Sequence, residues 1–592
     1  MPMDLDSGPP AKRTAGSPLS LPVDSVKRVA RTRDNDQGPK LGNLPEELLE
    51  HIISYMGCWE VRGLVRVSRK FQRLATPRLH LPGPQLDDLP DDLLEKIIAE
   101  IRHQDVLHLV YVSSQFRRLA EKRLYSSCSF ANDGSPESPN EDYEEWRRLC
   151  NLIRTLVERP DVAAYMHTVE FDHIEWRDEV WGGDDTWGRD LSEELWAKAR
   201  DQIDIDEAYK ETILSRQRPE NLTSAATTLL LCLLPNLERL SFEAPMFHES
   251  DSSRVWRKKN NEEEKYDHPL TNLMKVVSNH PSWPRIEVNR LAAETAGSRI
   301  PLAKLRELVF TLYDGETEMN NNCLAFSAGI PSLREVRTFW MSSGSAEWPS
   351  TRTVNIEQAT FLAHEPDMRE MLGFFKACKA LKSLAMEYRH PIFDSPENAA
   401  MLREAISLHT ESLESLLIDE QDDYGTPQTK ETHVIGSLKA FRRLKALSVP
   451  GQLLTGLSCN PEAHNNGAAL IDTLPTSLEV LTINGSVKGD TALEEFLASL
   501  ANPSSGGRVT LPNLRQVEMR PRIDHWAQRE KCDNITYLYV PGQLLEQLRP
   551  VFASWGVRLL GPEGAIEDKN FLGGSGENGE LYSYFPRTKL TG

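Results

Sequence analysis

The sequence predicts an α/β protein in which all-α helical units near the amino end precede a solenoid of short parallel strands. Two observations carry this prediction. A 37-residue segment with helix signals occurs twice, at residues 44–80 and 89–125. From about residue 160 onward, the pattern Leu-x-x-Leu-x-apolar recurs, and the alternation at its end is typical of a strand. An irregular helical array is the alternative for this second region, because amphipathic helices also produce Leu-x-x-Leu.

The two copies of the duplicated segment keep a constant offset of 45 residues. Each opens with Leu-Pro-x-x-Leu-Leu-x-x-Ile-Ile and continues into Leu-x-x-Val-Ser-x-x-Phe-x-Arg-Leu-Ala. Pro45 and Pro90 suit a first helical turn, where the missing N–H is no loss. An acidic pair follows each proline and favours the positive end of the helix dipole. We therefore expect a helix to start at both places.

The apolar stripe of the second copy is too wide for a helix that rests on one neighbour. Leu93, Leu94, Ile97, Ile98 and Ile101 recur at i, i+1, i+4, i+5 and i+8, so the helix is predicted to face two surfaces. Units of below about 40 residues rarely bury enough surface to stand alone, which implies an outside partner. A helical solenoid of the armadillo or HEAT kind is the alternative, although such arrays need about three or more repeats.

The two copies resemble the F-box family, because the motifs quoted above occur in each copy in the order that is typical of that family. The resemblance implies that their apolar positions dock on a small Skp-type adaptor, which bridges to a cullin scaffold carrying a RING subunit. The second copy is the closer match and is the predicted dock, with the first a remnant or a lateral packing partner. Carried over residue by residue, the docking role falls on Leu89, Pro90, Leu93, Leu94, Ile97, Ile98, Leu109, Val112 and Phe116, and in the first copy on Leu44, Pro45, Leu48 and Ile52.

The later pattern has seven good copies, with a charged or polar residue straight after the first leucine of each. The region resembles leucine-rich repeats, although the last five copies are spaced more widely than the usual 20 to 29 residues. That spacing leaves room for a helix or loop on the outer side, whereas long gaps after residues 171, 242 and 333 depart from a regular array. The good copies start at Leu237, Leu305, Leu381, Leu413, Leu444, Leu478 and Leu514, and weaker ones start at Met166, Leu333 and Ile535.

Side chains that alternate with the buried leucines are expected to line an exposed concave face. The set leans acidic, which favours a basic or polar target segment. Its members are Ser241, Thr311, Glu387, Asp419, Thr482, Asn484, Glu518 and Arg520, of which Thr311, Glu387, Asp419, Thr482 and Glu518 are the candidate substrate-binding residues.

Composition excludes several classes of function. The 592 residues are 39% hydrophobic and 26% charged, without an apolar run long enough to span a membrane and without a secretion signal, so a cytosolic or nuclear location is expected. A formal net charge of −20 disfavours general nucleic-acid binding. The eight cysteines form no Cys-x-x-Cys and are predicted to be reduced, packed thiols. No catalytic, metal or phosphate-binding motif occurs, so we expect neither catalysis nor a cofactor.

The predicted organisation has five parts. Residues 1–40 form a polar tail with a loose bipartite basic pattern, either an import signal or a solvated tail. Residues 41–82 and 86–130 are the two F-box-like units, 131–560 the repeat domain and 561–592 a flexible tail. Between residues 174 and 209 lies an acidic insertion that either packs on the solenoid flank or forms a lip that holds a target; it carries Trp176, Trp181, Trp187 and Trp196.

These features together predict a substrate-recognition subunit of an SCF-type cullin-RING ubiquitin ligase. The F-box binds the adaptor, and the repeat domain holds a protein target. A leucine-rich interaction scaffold with an F-box-like cap and no ligase is the alternative. A hydrolase hidden in the long insertions is a third interpretation.

Overall fold

The computed structural model divides the chain into two units, residues 1–124 and 125–592. The predicted tails, the first F-box-like unit, most of the acidic insertion and the weak copy at Ile535 lie outside the described residues. The structure describes residues 89–130, 141–171, 191–203, 210, 222–243, 273–274, 277, 301–311, 321–339, 348–349, 351–364, 368–388, 395–420, 435–455, 471–484, 491–501, 510–520 and 542–560.

The described part of the first unit consists of three helices. They are α1 (Asp91–Ala99), α2 (His103–Leu109) and α3 (Ser114–Leu124). Helix α1 starts directly after Pro90, whose carbonyl accepts the N–H groups of Leu93 and Leu94 at 3.1 and 3.2 Å. Helix α3 packs against both α1 and α2. The helix start predicted at the second Leu-Pro is confirmed.

The second unit contains a sheet whose twelve described strands are all parallel and follow one another in chain order. Each strand pairs with the next, and the register is constant within every pair except that of the sixth and seventh strands, where it shifts between Phe361 and His364. The strands are β1 (Ser127–Ser129), β2 (Thr168–Phe171), β3 (Arg239–Glu243), β4 (Glu307–Thr311), β5 (Glu335–Phe339), β6 (Gln358–His364), β7 (Ser383–Tyr388), β8 (Ser415–Glu420), β9 (Ala446–Pro450), β10 (Val480–Asn484), β11 (Gln516–Arg520) and β12 (Arg558–Leu560).

Helices connect many of these strands and share one hydrophobic core with them. The core cluster runs from Phe130 to Leu559. Trp196 of the acidic insertion lies buried in it, on a helix between β2 and β3. The helices of this unit are α4 (Glu141–Glu158), α5 (Pro160–Ala163), α6 (Glu193–Asp201), α7 (Leu222–Cys232), α8 (Asn321–Ala328), α9 (Met368–Ala377), α10 (Pro396–Ser407), α11 (Gly451–Thr455), α12 (Thr491–Ala501) and α13 (Gly542–Ser554).

All seven good copies of the leucine pattern become strands, namely β3, β4 and β7 to β11. The weaker copies at Met166 and Leu333 become β2 and β5, so the alternative of an irregular helical array is wrong. Strand β6 falls in the long gap after residue 333 and restores a regular succession there. Strands β1, β6 and β12 were not predicted. Because β1 already pairs with β2, the sheet begins before residue 130.

The charged position after the first leucine of each copy has a structural explanation. Its backbone carbonyl accepts two N–H groups from the next repeat; that of Glu238, for example, accepts from Arg306 and Glu307 at 2.7 and 3.0 Å. Its side chain stands beside the equivalent one of the neighbouring repeat, and Lys382 pairs with Glu357 at 2.5 Å. Signs largely alternate along this row, which holds His167, Glu238, Arg306, Arg334, Glu357, Lys382, Glu414, Lys445, Glu479 and Arg515.

A second ladder lies two residues earlier, immediately before the first leucine. There a short polar side chain donates to a backbone carbonyl of the preceding repeat. Asn236 donates to Ala164 at 2.6 Å, and Ser477 donates to Leu444 at 2.8 Å. Such bonds satisfy carbonyls at the turn into each strand and fix the distance between repeats. Further donors at this position are Asn355, Ser412 and Asn513.

Candidate functional site

Polar contacts join the amino-terminal ends of α1 and α3. The Gln115 amide donates to the Asp91 carboxylate at 2.8 Å and to the Leu89 carbonyl at 3.3 Å. Arg118 also pairs with Asp91. The hydrogen bond from Gln115, followed by that from Arg118, lowers the pKa of Asp91. One turn further on, Lys122 pairs with Glu95 at 2.8 Å. These exposed pairs set the register of two helices that run in the same direction.

The wide apolar stripe of α1 divides between two surfaces, as predicted. Leu94 and Ile98 are buried, whereas Leu93 is 43% exposed and Ile97 is half-buried. The docking role of the nine residues stays a prediction, and the structure divides them into buried ones, which support the helical unit, and accessible ones, which a partner can reach while the unit stays folded. The buried members are Leu89, Leu94, Ile98, Leu109 and Phe116, and the accessible ones are Pro90, Leu93, Ile97 and Val112.

Tyr111 is a surface residue that the sequence analysis missed. It lies between α2 and α3 and is 81% exposed. Gln115, one turn later, is bonded to the start of α1, so the segment that carries Tyr111 and Val112 enters α3 at the same end of the unit as Pro90. Leu93 and Tyr111 are the large hydrophobic side chains that remain exposed in the described part of the chain. The available signal was an aromatic residue directly before Val112-Ser113.

The sheet of the second unit presents an outer strand face, formed by the side chains that alternate with the buried ones. In β3, for example, Leu240 and Phe242 point into the core, and Arg239 and Ser241 belong to the other face. The strand register aligns these outer residues in rows across the sheet. We refer to the first, third and fifth rows according to position in a five-residue strand.

At the amino-terminal side of this face, charges on β3, β4 and β5 compensate one another. Glu307 in the first row lies 3.4 Å from Arg239 and 3.6 Å from Arg337. Arg337 also pairs with Glu335 at 2.6 Å. Two cations and two anions thus form a network that is about one quarter exposed, and it leaves little net charge for a ligand.

A second compensated group lies at the carboxyl-terminal side. Arg520 makes two hydrogen bonds to the carboxylate of Glu518, at 2.8 and 3.2 Å. Gln516 reaches Glu518 at 3.5 Å and accepts a bond from Arg558 of β12 at 2.9 Å. The negative charge of Glu518 is therefore largely neutralised within its own strand.

Between these two groups the first and third rows carry no charge. We call this set, on β6 to β10, the neutral strip. Most of its side chains are half-buried, Gln358 is exposed, and Thr482 is buried. The register places its members side by side. They are Gln358, Thr360, Ser383, Ala385, Ser415, Leu417, Ala446, Ser448, Val480 and Thr482.

The structure places the side chains of four candidate substrate-binding residues on the outer strand face, and for Thr311 it gives the register position on β4. Thr482 and Glu518 lie in the third row and Thr311, Glu387 and Asp419 in the fifth. Glu387 and Asp419 are direct register partners on β7 and β8. The expected exposure is corrected for two of the five, because Thr482 is 4% and Glu518 9% exposed.

Comparison with protein-family models agrees with this architecture. A model described as a leucine-rich repeat domain matches residues 148–524, and a model described as an F-box domain matches residues 41–78 and again residues 86–125. This chain belongs to the leucine-rich repeat family and carries two F-box domains. A search of the curated proteins finds no match. Both domains of this F-box and leucine-rich repeat protein are protein-interaction modules, and the F-box implies binding to a Skp-type adaptor.

Three cysteine thiols of the repeat domain are shielded from ionisation. Burial raises the pKa of the Cys128 thiol to about 12 and also raises the pKa values of Cys232 and Cys378, so these thiols stay protonated and are poor nucleophiles. Among the described residues, no cluster of His, Cys, Asp and Glu could hold a metal ion. Within the same residues, every helix is too short or too polar to cross a membrane.

Proposed function

We propose that this F-box and leucine-rich repeat protein is the substrate-recognition subunit of an SCF-type cullin-RING ubiquitin ligase. An F-box domain binds a Skp-type adaptor and through it the cullin and the RING subunit, and the repeat domain holds a protein target. The chain brings the target close to its catalytic partners and does not itself make or break bonds, so it needs neither catalytic residues nor a cofactor. In this proposal it acts in the cytosol or the nucleus.

The division of the α1 stripe is the observation that carries the proposal. A helix whose apolar residues are half buried and half exposed has one face in its own core and another available to a partner. In the second F-box the available face comprises Pro90, Leu93 and Ile97, with Val112 and Tyr111 at the same end of the unit. We propose these five residues as the adaptor contact.

A binding assay with purified adaptor tests this assignment. In the full chain, Leu93→Asp together with Ile97→Asp places two charges on the exposed face without altering Leu94 or Ile98, and adaptor binding is expected to be lost. Ala99→Asp is the matched control, because Ala99 is exposed on the same helix and, at i+6 from Leu93 and i+2 from Ile97, neighbours neither of them. Adaptor binding that survives the double substitution overturns the proposed contact.

The same assay decides between the two F-box copies. Leu48→Asp and Ile52→Asp are the equivalent changes in the first copy, at the offset of 45 residues. Loss of binding with the second pair alone supports the second copy as the dock. Loss with the first pair alone assigns the dock to the first copy. A wild-type chain that binds no adaptor favours the alternative of a non-ligase scaffold.

On the target side we propose the outer strand face, with Thr311, Glu387, Asp419, Thr482 and Glu518 as substrate-binding residues. Glu387 and Asp419 place two neighbouring carboxylates of this set at one edge of the face. Carboxylates at that edge favour a basic residue in the bound segment.

A further inference from the structure

We infer that the neutral strip binds the target segment, and that this segment is an extended stretch of about six uncharged residues. The inference rests on the proposed function, because it names the kind of target that the repeat domain holds. Three features carry it: the absence of charge from one continuous part of the face, the dimensions of that part, and the compensated charges on both sides of it.

The distribution of charge over the outer strand face is uneven. About a quarter of the residues in the chain are charged, yet the ten positions of the neutral strip hold none. Charges return on β5, with Glu335 and Arg337, and on β11, with Glu518. Since solvent favours charged side chains on an open sheet face, their absence from the first and third rows of five consecutive strands marks a surface that is suited to lose its water.

The side chains of the strip are mostly short, and they include both hydroxyl and aliphatic groups. Hydroxyl groups of Ser383, Ser415 and Ser448 alternate with the aliphatic side chains of Ala385 and Leu417. Short side chains let a bound backbone approach closely, hydroxyls can exchange hydrogen bonds with its amide groups, and the aliphatic groups bury apolar side chains. A charged residue placed here would be desolvated without a partner, so the surface selects against charge in the bound segment.

The size of the strip sets the length of the segment. Five strands at a spacing of about 4.8 Å span about 19 Å, and an extended chain that rises about 3.3 Å per residue covers this distance with about six residues. The ion-paired groups on β3 to β5 and on β11 to β12 limit the strip on both sides. Their charges already have partners, so a neutral segment loses no ion pair by ending beside them.

A displayed library of random peptides, about twelve residues long to exceed the span of the strip, tests the inference on the purified full chain. Selected peptides are expected to share an uncharged run of about six residues. Ala446→Asp and Ala446→Lys should each weaken binding of these peptides by about tenfold or more, because a charge of either sign must be desolvated. Insensitivity to the sign of the charge separates this effect from electrostatic attraction.

Thr168→Asp and Thr168→Lys are the matched controls. Thr168 occupies the first row on β2, outside the strip, and is half-buried like Ala446. These variants should keep binding within about twofold. Unchanged thermal melting shows that each variant is folded. Selected peptides rich in charge, wild-type affinity in both Ala446 variants, or a library that yields no binder each overturn the inference. Failure of the adaptor assay with success here removes the ligase assignment and leaves the peptide surface intact.

Discussion

The Nε2 atom of His409 lies 3.1 Å from the carbonyl oxygen of Phe375, in the preceding repeat. The other ring nitrogen, Nδ1, accepts the backbone N–H of Leu381 at 3.4 Å. Because Nδ1 is an acceptor, the proton of the neutral ring belongs on Nε2, which donates to Phe375. The buried imidazole thus joins the end of α9 to the entrance of β7, and only its neutral form satisfies both bonds.

This arrangement predicts a pH dependence of stability. Burial, with a smaller contribution from Arg352, lowers the pKa of His409 although the Phe375 carbonyl opposes the shift. Below the unfolded pKa of about 6.5, the unfolded chain therefore binds a proton that the native state does not, and the free energy of unfolding falls by up to about 1.4 kcal/mol per pH unit. Above that pH the histidine is neutral in both the folded and the unfolded state, so it does not change the free energy of unfolding with pH.

Urea unfolding of the wild type and of His409→Gln at about pH 8 and about pH 5.5 measures this effect. The glutamine variant should lose less stability between the two pH values than the wild type. Contributions of the other histidines cancel in the comparison. Equal losses in both proteins would show that His409 takes up its proton without opposing the fold.

Gly373 in helix α9 lies against the indole ring of Trp348. A Cβ atom at this position would stand 2.3 Å from Trp348 Cδ1 and 2.9 Å from Nε1. The indole ring also packs edge to face on Phe374, with ring centroids 5.4 Å apart. Glycine inside a helix normally costs about 1 kcal/mol relative to alanine. Here it makes room for the tryptophan.

Gly373→Ala is therefore expected to destabilise the protein by about 1–3 kcal/mol, the opposite sign from an ordinary helix position. A double-mutant cycle with Trp348→Ala isolates the cause, since alanine at 373 should become stabilising once the indole ring is removed. Chemical unfolding gives the free energies. If Gly373→Ala destabilises both backgrounds equally, contact with Trp348 is not the reason for glycine.

Much of the repeat array could be predicted because leucine fills its core positions. Strands β7 to β11 each present a leucine, valine, isoleucine or methionine at the positions that alternation requires. Strand β6 was missed because Ala359 occupies the place of the usual leucine, although its side chain is buried in the same way. Strands β1 and β12 are only three residues long, so their alternation is too short to recognise.

The surfaces were harder to predict than the core. The spacing of the α1 stripe predicts two faces, but packing against α3 decides that Leu94 points inward and Leu93 outward. Alternation likewise places Glu518 on the outer strand face, whereas its bidentate pairing with Arg520 depends on side-chain geometry. The uncharged region across β6 to β10 becomes visible only when the register brings separate repeats side by side.

Truncation of the two neighbouring leucines of α1 should have opposite consequences. Leu94→Ala removes a fully buried side chain and is expected to cost about 2–5 kcal/mol of helical-unit stability. Leu93→Ala changes an exposed side chain and should alter stability by no more than about 0.5 kcal/mol, while it weakens adaptor binding. Hydrogen exchange of the amides of α1 to α3 reports the first effect separately from the repeat domain. Similar protection loss in both variants would contradict the two-sided packing.

Reversal of charge at the acidic edge tests the target side of the proposed function. Glu387 and Asp419 are register partners, so Glu387→Lys with Asp419→Lys replaces two neighbouring carboxylates by two ammonium groups. Proteins that this edge holds through a basic residue should then co-purify with the chain less, by about tenfold if one close charge pair is lost. Adaptor recovered in the same sample normalises the comparison.

Glu411→Lys is the control, because Glu411 is an exposed carboxylate that pairs with Arg442 before β8 begins, on the opposite edge of the sheet. Undiminished co-purification in the double variant would remove these two residues from the target site, since like charges at an occupied edge cannot leave binding unchanged.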